Sequence, residues 1–206
     1  MPATMMNTPA YFDAVPAIVV VDALAETLGA ADGGVLEYRY VDAVKLAGHS
    51  CPTVAGAWLM TRAALLRLYP GETPRRGEIR VEMRQAAGEG VAGVIAGVAG
   101  LVTGAAGEGG FKGLAGRFAR QGLLRFGVPM RGEIRFTRLD NGRSVELSHR
   151  SQAVPRPPGL TELLRDGLAP NASPAARRHF ADAWQGWVQA ILTEHADDPA
   201  LIEIVA

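Results

Sequence analysis

LAGHSCPTVAGAWLMTRAALLRLYPG, residues 46–71, holds the chain's one cysteine and one of its four histidines. Pro52 is tolerated at the start of a helix because its missing N–H would be unpaired there anyway. From Pro52 to Leu68 the segment carries only two charged residues, Arg62 and Arg67. The spacing predicts a helix over Pro52–Leu68, apolar on most faces, that ends at Tyr69-Pro70-Gly71. A helix with so few charges belongs at the centre of a fold, against a sheet. LAGHSCP before it is predicted as loop.

Working outward, Asp13–Leu28 has apolar residues at helical spacing and stops at Gly29, which predicts an opening helix. Val35–Val44 alternates Leu36, Tyr38 and Tyr40 against Glu37 and Arg39, the pattern of a strand. Glu78–Met83 alternates in the same way. From Ala86 to Gly116 the chain contains eleven of its 25 glycines. Ala92, Ala96, Gly100 and Gly104 recur every four residues, so the first part predicts a helix with a stripe bare of side chains. Such a stripe lets a backbone or a flat ligand come close. GAAGEGGFKGLAGR, from Gly104, is predicted as loop.

Leu123–Phe126 is a further short strand. Glu133–Leu139 and Ser144–Arg150 flank Asp140-Asn141-Gly142-Arg143, and Asn-Gly between alternating runs is a strong hairpin signal. QAVPRPPG reads as a linker. Ser173 and Pro174 then cap and open a last helix. Phe180, Trp184, Trp187 and Ile191 share one face of it, for a core or a dimer surface. Together these elements predict an α+β fold, a mixed or antiparallel sheet with packed helices and a C-terminal helical arm.

The composition narrows the function classes. A chain of 206 residues can bury a core without disulfides, and its formal net charge of +0 provides no field to attract nucleic acid or an anionic membrane. The uncharged run Val91–Ala106 is shorter than the roughly 20 residues that span a bilayer. The N-terminus lacks a basic n-region, and Asp22 interrupts its apolar run, so no signal peptide is expected. One cysteine makes no internal disulfide and fits a reducing compartment. A cytoplasmic protein with neither membrane nor nucleic-acid partner is expected.

Cys51 falls at the N-cap of the central helix, where exposed amide N–H groups and the helix dipole favour an anion. A thiol there is a better nucleophile and a better metal ligand. His49 lies two residues before it. Thiolate and imidazole together suit zinc, or iron and copper under other conditions. The plainer reading is a small buried thiol and a surface imidazole. Cys51-Pro52 also suits a thiolate haem ligand, and a Cys–His pair suits acyl or redox chemistry. GAAGEGGFKG is not a Walker A loop, since Lys112 is followed by Gly. Its glycine amides, as at Gly109 and Gly110, with Lys112, Arg117 and Arg120, still suit a small anion, and the plainer reading is a tight loop beside close-packed helices.

GHSCPTVAGAW, followed by a long helix, a strand and a glycine-rich segment ending GGFKG, resembles the FmdE family, which takes its name from a component of formylmethanofuran dehydrogenase. His49, Cys51, Pro52 and Gly56 match the family's first motif, and Phe111–Gly113 looks like its later Gly-Lys segment. The resemblance spans roughly Asp13 to Arg150. It implies an α+β core, expected in residues 1–155, a homodimer, and a metal, commonly zinc, held by His49 and Cys51. Beyond that core the sequence itself predicts a helical extension in 156–206, packing on the same core or on a dimer partner. The chain departs from the family in three ways. Ala47 stands for the motif's first His, there is no second cysteine, and there is no C-terminal zinc ribbon. The resemblance therefore leaves the ligand set open to Glu89, Glu108, His149, water or a partner chain. It names no reaction. An enzyme using a Cys51 thiolate or metal-bound water remains a second expectation, and a small-ligand carrier a third.

Overall fold

The computed structural model describes residues 7–205. Helix α3, Pro52–Leu68, forms where Pro52 and Cys51 predict it, with Cys51 as N-cap. It runs through the middle of the molecule. Trp58, Leu59, Met60, Leu65 and Leu68 are each at most 2% exposed. Burial of a large apolar side chain of this kind contributes roughly 1.5–3 kcal/mol, so this helix anchors the core.

One face of α3 packs on a five-stranded sheet. Its strands are β3 (Ile79–Met83), β4 (Leu124–Arg125), β5 (Ile134–Arg138), β6 (Ser144–His149) and β7 (Ile202–Val205), in the spatial order β4-β3-β5-β6-β7. β3 and β4 are parallel and the other pairs antiparallel, so the sheet is mixed. Register places Ile79, Val81 and Met83 beside Phe136 and Ile134, and these beside Val145 and Leu147, all buried against the helices. Asn141-Gly142 turns the β5–β6 hairpin as expected. Gly142 has a φ of +73°, and its N–H donates to the Arg138 carbonyl at 3.0 Å. The fold is α+β.

The N-terminal reading is corrected. Asp13–Leu28 is not one helix. A 3-10 turn at Ala10–Ala14 leads into strand β1 (Ile18–Val21) and a short helix α1 (Ala23–Thr27). Four β-branched residues in a row favour a strand, and β1 pairs antiparallel with β2 (Val35–Tyr38). Asp22 starts α1, its carboxylate accepting from the Leu24 and Ala25 N–H groups. The strand expected over Val35–Val44 also stops early. From Tyr40 to Ala47 the chain is helix α2, closed at its start by Asp42, which accepts from the Arg39 N–H at 2.9 Å. Tyr40, Ala43 and Val44 are its buried face.

Helix α4 (Ala92–Thr103) packs on α3. Ala92 and Ala96 of its bare stripe are buried. At Gly100 a Cβ would stand 2.8 Å from the Ala105 carbonyl oxygen. That part of the stripe admits the protein's own backbone. The glycine-rich segment after α4 is loop, folded on itself: the Gly107 carbonyl accepts from the N–H groups of Gly110 and Gly122, and Arg120 N–H donates to the Phe111 carbonyl. Arg120 anchors it. Its guanidinium donates to Asp22 Oδ1 at 2.7 Å, while Arg76 donates to Asp22 Oδ2 at 2.8 Å. Burial pushes the Asp22 carboxyl up, but the two guanidinium groups outweigh it and hold it below the usual carboxylate range.

Residues 156–206 hold helix α5 (Leu160–Gly167), helix α6 (Pro174–Gln189), a π-helical turn at Ala190–Glu194 and β7. α6 begins as expected, with Ser173 Oγ accepting from Ala176 N–H at 3.1 Å. α5 and β7 are additions that the sequence reading lacks. β7 pairs with β6 in the main sheet, and α6 packs against α3 of the same chain. Among the described residues no helix is long and apolar enough to cross a membrane.

Candidate functional site at the N-terminus of helix α3

Two residues of sequence chemistry set the loop before α3. Gly48 ends α2 in the left-handed conformation, with φ at +76°, which glycine adopts without a steric cost. Cys51 then starts α3 in extended geometry, its Sγ accepting from the Val54 N–H at 3.5 Å. The link between the two helices is therefore only a few residues long, and His49 and Cys51 are held close by the chain itself.

Ser50, between them, is tied down from three directions. Its carbonyl accepts from Trp184 Nε1 at 3.0 Å and from Gln185 Nε2 at 3.2 Å, and its hydroxyl lies 3.0 Å from the Tyr40 hydroxyl. Burial raises the Tyr40 phenol far above its ordinary value, so Tyr40 stays protonated and available as a donor. Tyr11 joins the same network through Gln185 Oε1 at 2.7 Å. Helix α6 thus clamps the loop that carries the thiol and the imidazole.

His49 is exposed, and its Nδ1 lies 2.9 Å from the Ala47 carbonyl oxygen. A carbonyl only accepts, so Nδ1 is the donor, and in the neutral ring Nε2 holds the lone pair. A backbone carbonyl at one imidazole nitrogen fixes the ring for ligation through the other. Cys51 is buried at 9% exposure and has no disulfide partner. Both residues line a pocket of about 530 Å³. Its walls come from the start of α3, the segment after β6, α5 and α6. Trp184 and Trp187 meet there edge to face, their ring centres 5.9 Å apart. Arg156 lines it too, with its guanidinium carbon 5.6 Å from the Trp187 ring centre.

The structure brings His49 and Cys51 to this one pocket and leaves the other candidates elsewhere. Gly109, Gly110, Lys112, Arg117 and Arg120 are not among its lining residues, and the Arg120 guanidinium is committed to Asp22. Gly110 allows a close approach within its own loop, where a Cβ would meet Ala106 at 2.6 Å. Glu89 caps the turn before α4, accepting from the Ala86 N–H at 3.2 Å. Glu108 is exposed on the glycine-rich loop. His149, on β6, packs its ring where a side chain at Gly56 would stand, and burial lowers its pKa to about 4. Its Nε2 is buried with no hydrogen-bond partner among the described residues.

Set against zinc, this donor set is half of what the metal takes. A structural zinc has four protein ligands and a catalytic zinc three. His49 and Cys51 offer two, and among the described residues no group of three or more His, Cys, Asp and Glu side chains is placed to hold a metal ion. A closed zinc centre therefore does not fit within one chain. His49 and Cys51 are instead two donors in the lining of a single pocket.

Sequence reasoning does not single out Trp184, Trp187, Arg156 and Leu160 as site residues. The helical spacing of Trp184 and Trp187 is visible, but it reads as a core or dimer face, and Trp187 is buried. Nothing local to Arg156 marks it. A scan against protein-family models found no match for the chain, and a search of curated proteins found no significant one.

Proposed function

We propose that the protein binds a small molecule in the pocket at the α3 N-terminus, and that His49 Nε2 and Cys51 Sγ there bind a soft divalent metal ion, zinc being the ion the pair suits best, only together with donors from the pocket's occupant, from water or from a second copy of the chain. The observation that carries this reading is the convergence of both donors on one concave, largely apolar pocket, with His49 Nδ1 committed to Ala47. Concave apolar sites with a few converging polar groups are the usual form of small-molecule sites. The likeness of GHSCPTVAGAW to the FmdE motif supports the metal and a homodimer. The free thiol suits a reducing compartment, and we place the protein in the cytoplasm. A bound metal would supply Lewis acidity beside the pocket.

The test is metal content and absorption of untagged protein purified without added metal, beside Cys51→Ser and His49→Ala. Zinc present in the wild type and lost in both variants supports the metal reading. A Soret band lost in Cys51→Ser assigns the thiol to haem instead. Protein that neither carries zinc nor takes it up on titration overturns the metal part and leaves the pocket.

A further inference from the structure

The two indoles of the pocket have already used their N–H groups. Trp184 Nε1 donates to the Ser50 carbonyl and Trp187 Nε1 to the Val154 carbonyl, at 3.0 and 3.2 Å. They offer the pocket only ring surface, set at 87° to one another, with Leu160 and Leu164 of α5 on the same wall. A corner of this kind favours a flat apolar body that stacks on one ring and meets the edge of the other.

The polar side of the pocket has one sign. Among the described residues that line it, none is acidic. Arg156 is exposed and has no carboxylate partner among the described residues, although it lies over Trp187. Thr53 and Thr161 also line the pocket, and their hydroxyls make no hydrogen bond among the described residues. A cation stacked on an aromatic face keeps its in-plane N–H groups free for a carboxylate.

We infer that the pocket takes an anionic ligand with a flat apolar body, an aromatic carboxylate, whose ring lies in the Trp184–Trp187 corner and whose charge is met by Arg156. This rests on the pocket being a binding site, and it does not depend on the metal.

The test is calorimetric titration with 2-naphthoate and with its neutral counterpart 2-naphthamide. Wild-type protein is expected to bind the carboxylate about tenfold more tightly than the amide, as a charge-assisted pair at a partly desolvated site gives. Arg156→Gln, at an exposed position, should keep the fold, lose about that tenfold for the carboxylate and leave the amide unchanged. Equal affinity for the two probes, no binding of either, or an unchanged preference in Arg156→Gln would overturn the inference. Repeating the titrations on Cys51→Ser after chelation separates the two readings. A preference that survives there belongs to Arg156, even if the metal reading falls. A preference that vanishes there and persists in Arg156→Gln belongs to the metal and overturns the inference.

Discussion

The Trp184 indole N–H donates to the Ser50 carbonyl at 3.0 Å across 134 residues of chain. This bond joins α6 to the loop that presents His49 and Cys51, so the position of the thiol depends on the far end of the sequence. Trp184→Phe keeps an aromatic ring and removes the donor. It should cost about 1 kcal/mol, a fall of roughly 2–4 °C in melting temperature for a chain of this size. It should also raise the rate at which a thiol reagent modifies Cys51 by several-fold. An unchanged rate would show that the loop holds its position without α6.

Cys51 caps α3, and its proposed second role as a metal ligand is one that substitution separates from the first. Serine is a strong N-cap, and alanine costs about 1 kcal/mol at such a position. Cys51→Ser should therefore unfold within a degree or two of the wild type while losing zinc, and Cys51→Ala should lose both zinc and stability. Calorimetry alongside metal analysis checks both effects. If Cys51→Ser retains full metal content, the sulfur is a helix cap alone.

His149 makes stability depend on pH. Burial lowers its pKa to about 4 from 6.5, so the unfolded chain takes up a proton before the folded one does. The contribution is complete above about pH 6.5 and is lost as pH falls toward 4, with a slope of up to about 1.4 kcal/mol per pH unit. His149→Phe keeps a flat ring against Gly56 and removes the unpaired buried nitrogen. Urea midpoints at pH 7 and pH 5 should differ less in this variant than in the wild type. The Asp22 carboxyl, held below its ordinary value, also loses its contribution in acid, but below the range that His149 governs. An unaltered pH dependence in His149→Phe would clear His149 of the role.

Gly56 is the complement of His149. A Cβ at this position would overlap the imidazole ring. Gly56→Ala should destabilise the protein by about 1–3 kcal/mol, the usual cost of overpacking a core, despite alanine's better helix propensity. His149→Ala in the same chain should recover much of the loss, and a thermal-melt double-mutant cycle would show that coupling.

Asp22 holds two guanidinium groups, and the residue is only 3% exposed. Asp22→Asn leaves Arg120 buried without its counter-charge. Removing one partner of a buried pair typically costs about 3–5 kcal/mol. The glycine-rich loop hangs on Arg120, so limited proteolysis should cut first between Gly104 and Gly122. Cleavage elsewhere would place the loop's anchor in another contact.

How far the fold can be read from sequence varies with how local each signal is. Pro52 and Gly71 bracket α3, and Asn141-Gly142 marks its hairpin, because the side chains or glycines responsible act on their own few residues. β1 is hidden because Ile18–Val21 sits inside a longer apolar stretch that also satisfies helical spacing. Only pairing with Val35–Tyr38 decides between the two. α2 is hidden by Tyr38 and Tyr40, which continue a strand-like alternation across a helix cap. The pocket is half legible. His49 and Cys51 are near neighbours in sequence, whereas Arg156 and the two tryptophans reach them through packing of α5 and α6, which no local pattern encodes.

The placement of β7 has a temporal consequence. This strand joins the sheet beside β6, and the walls of the pocket come from the start of α3, from the segment after β6, from α5 and from α6. A growing chain therefore carries its thiol and imidazole long before it has anything to enclose them. Until α5 and α6 have been made, Cys51 lacks the walls that enclose it, and the outer edge of β6 lacks its β7 partner. Oxidants or stray strand pairings would find the thiol and that edge most vulnerable in this interval.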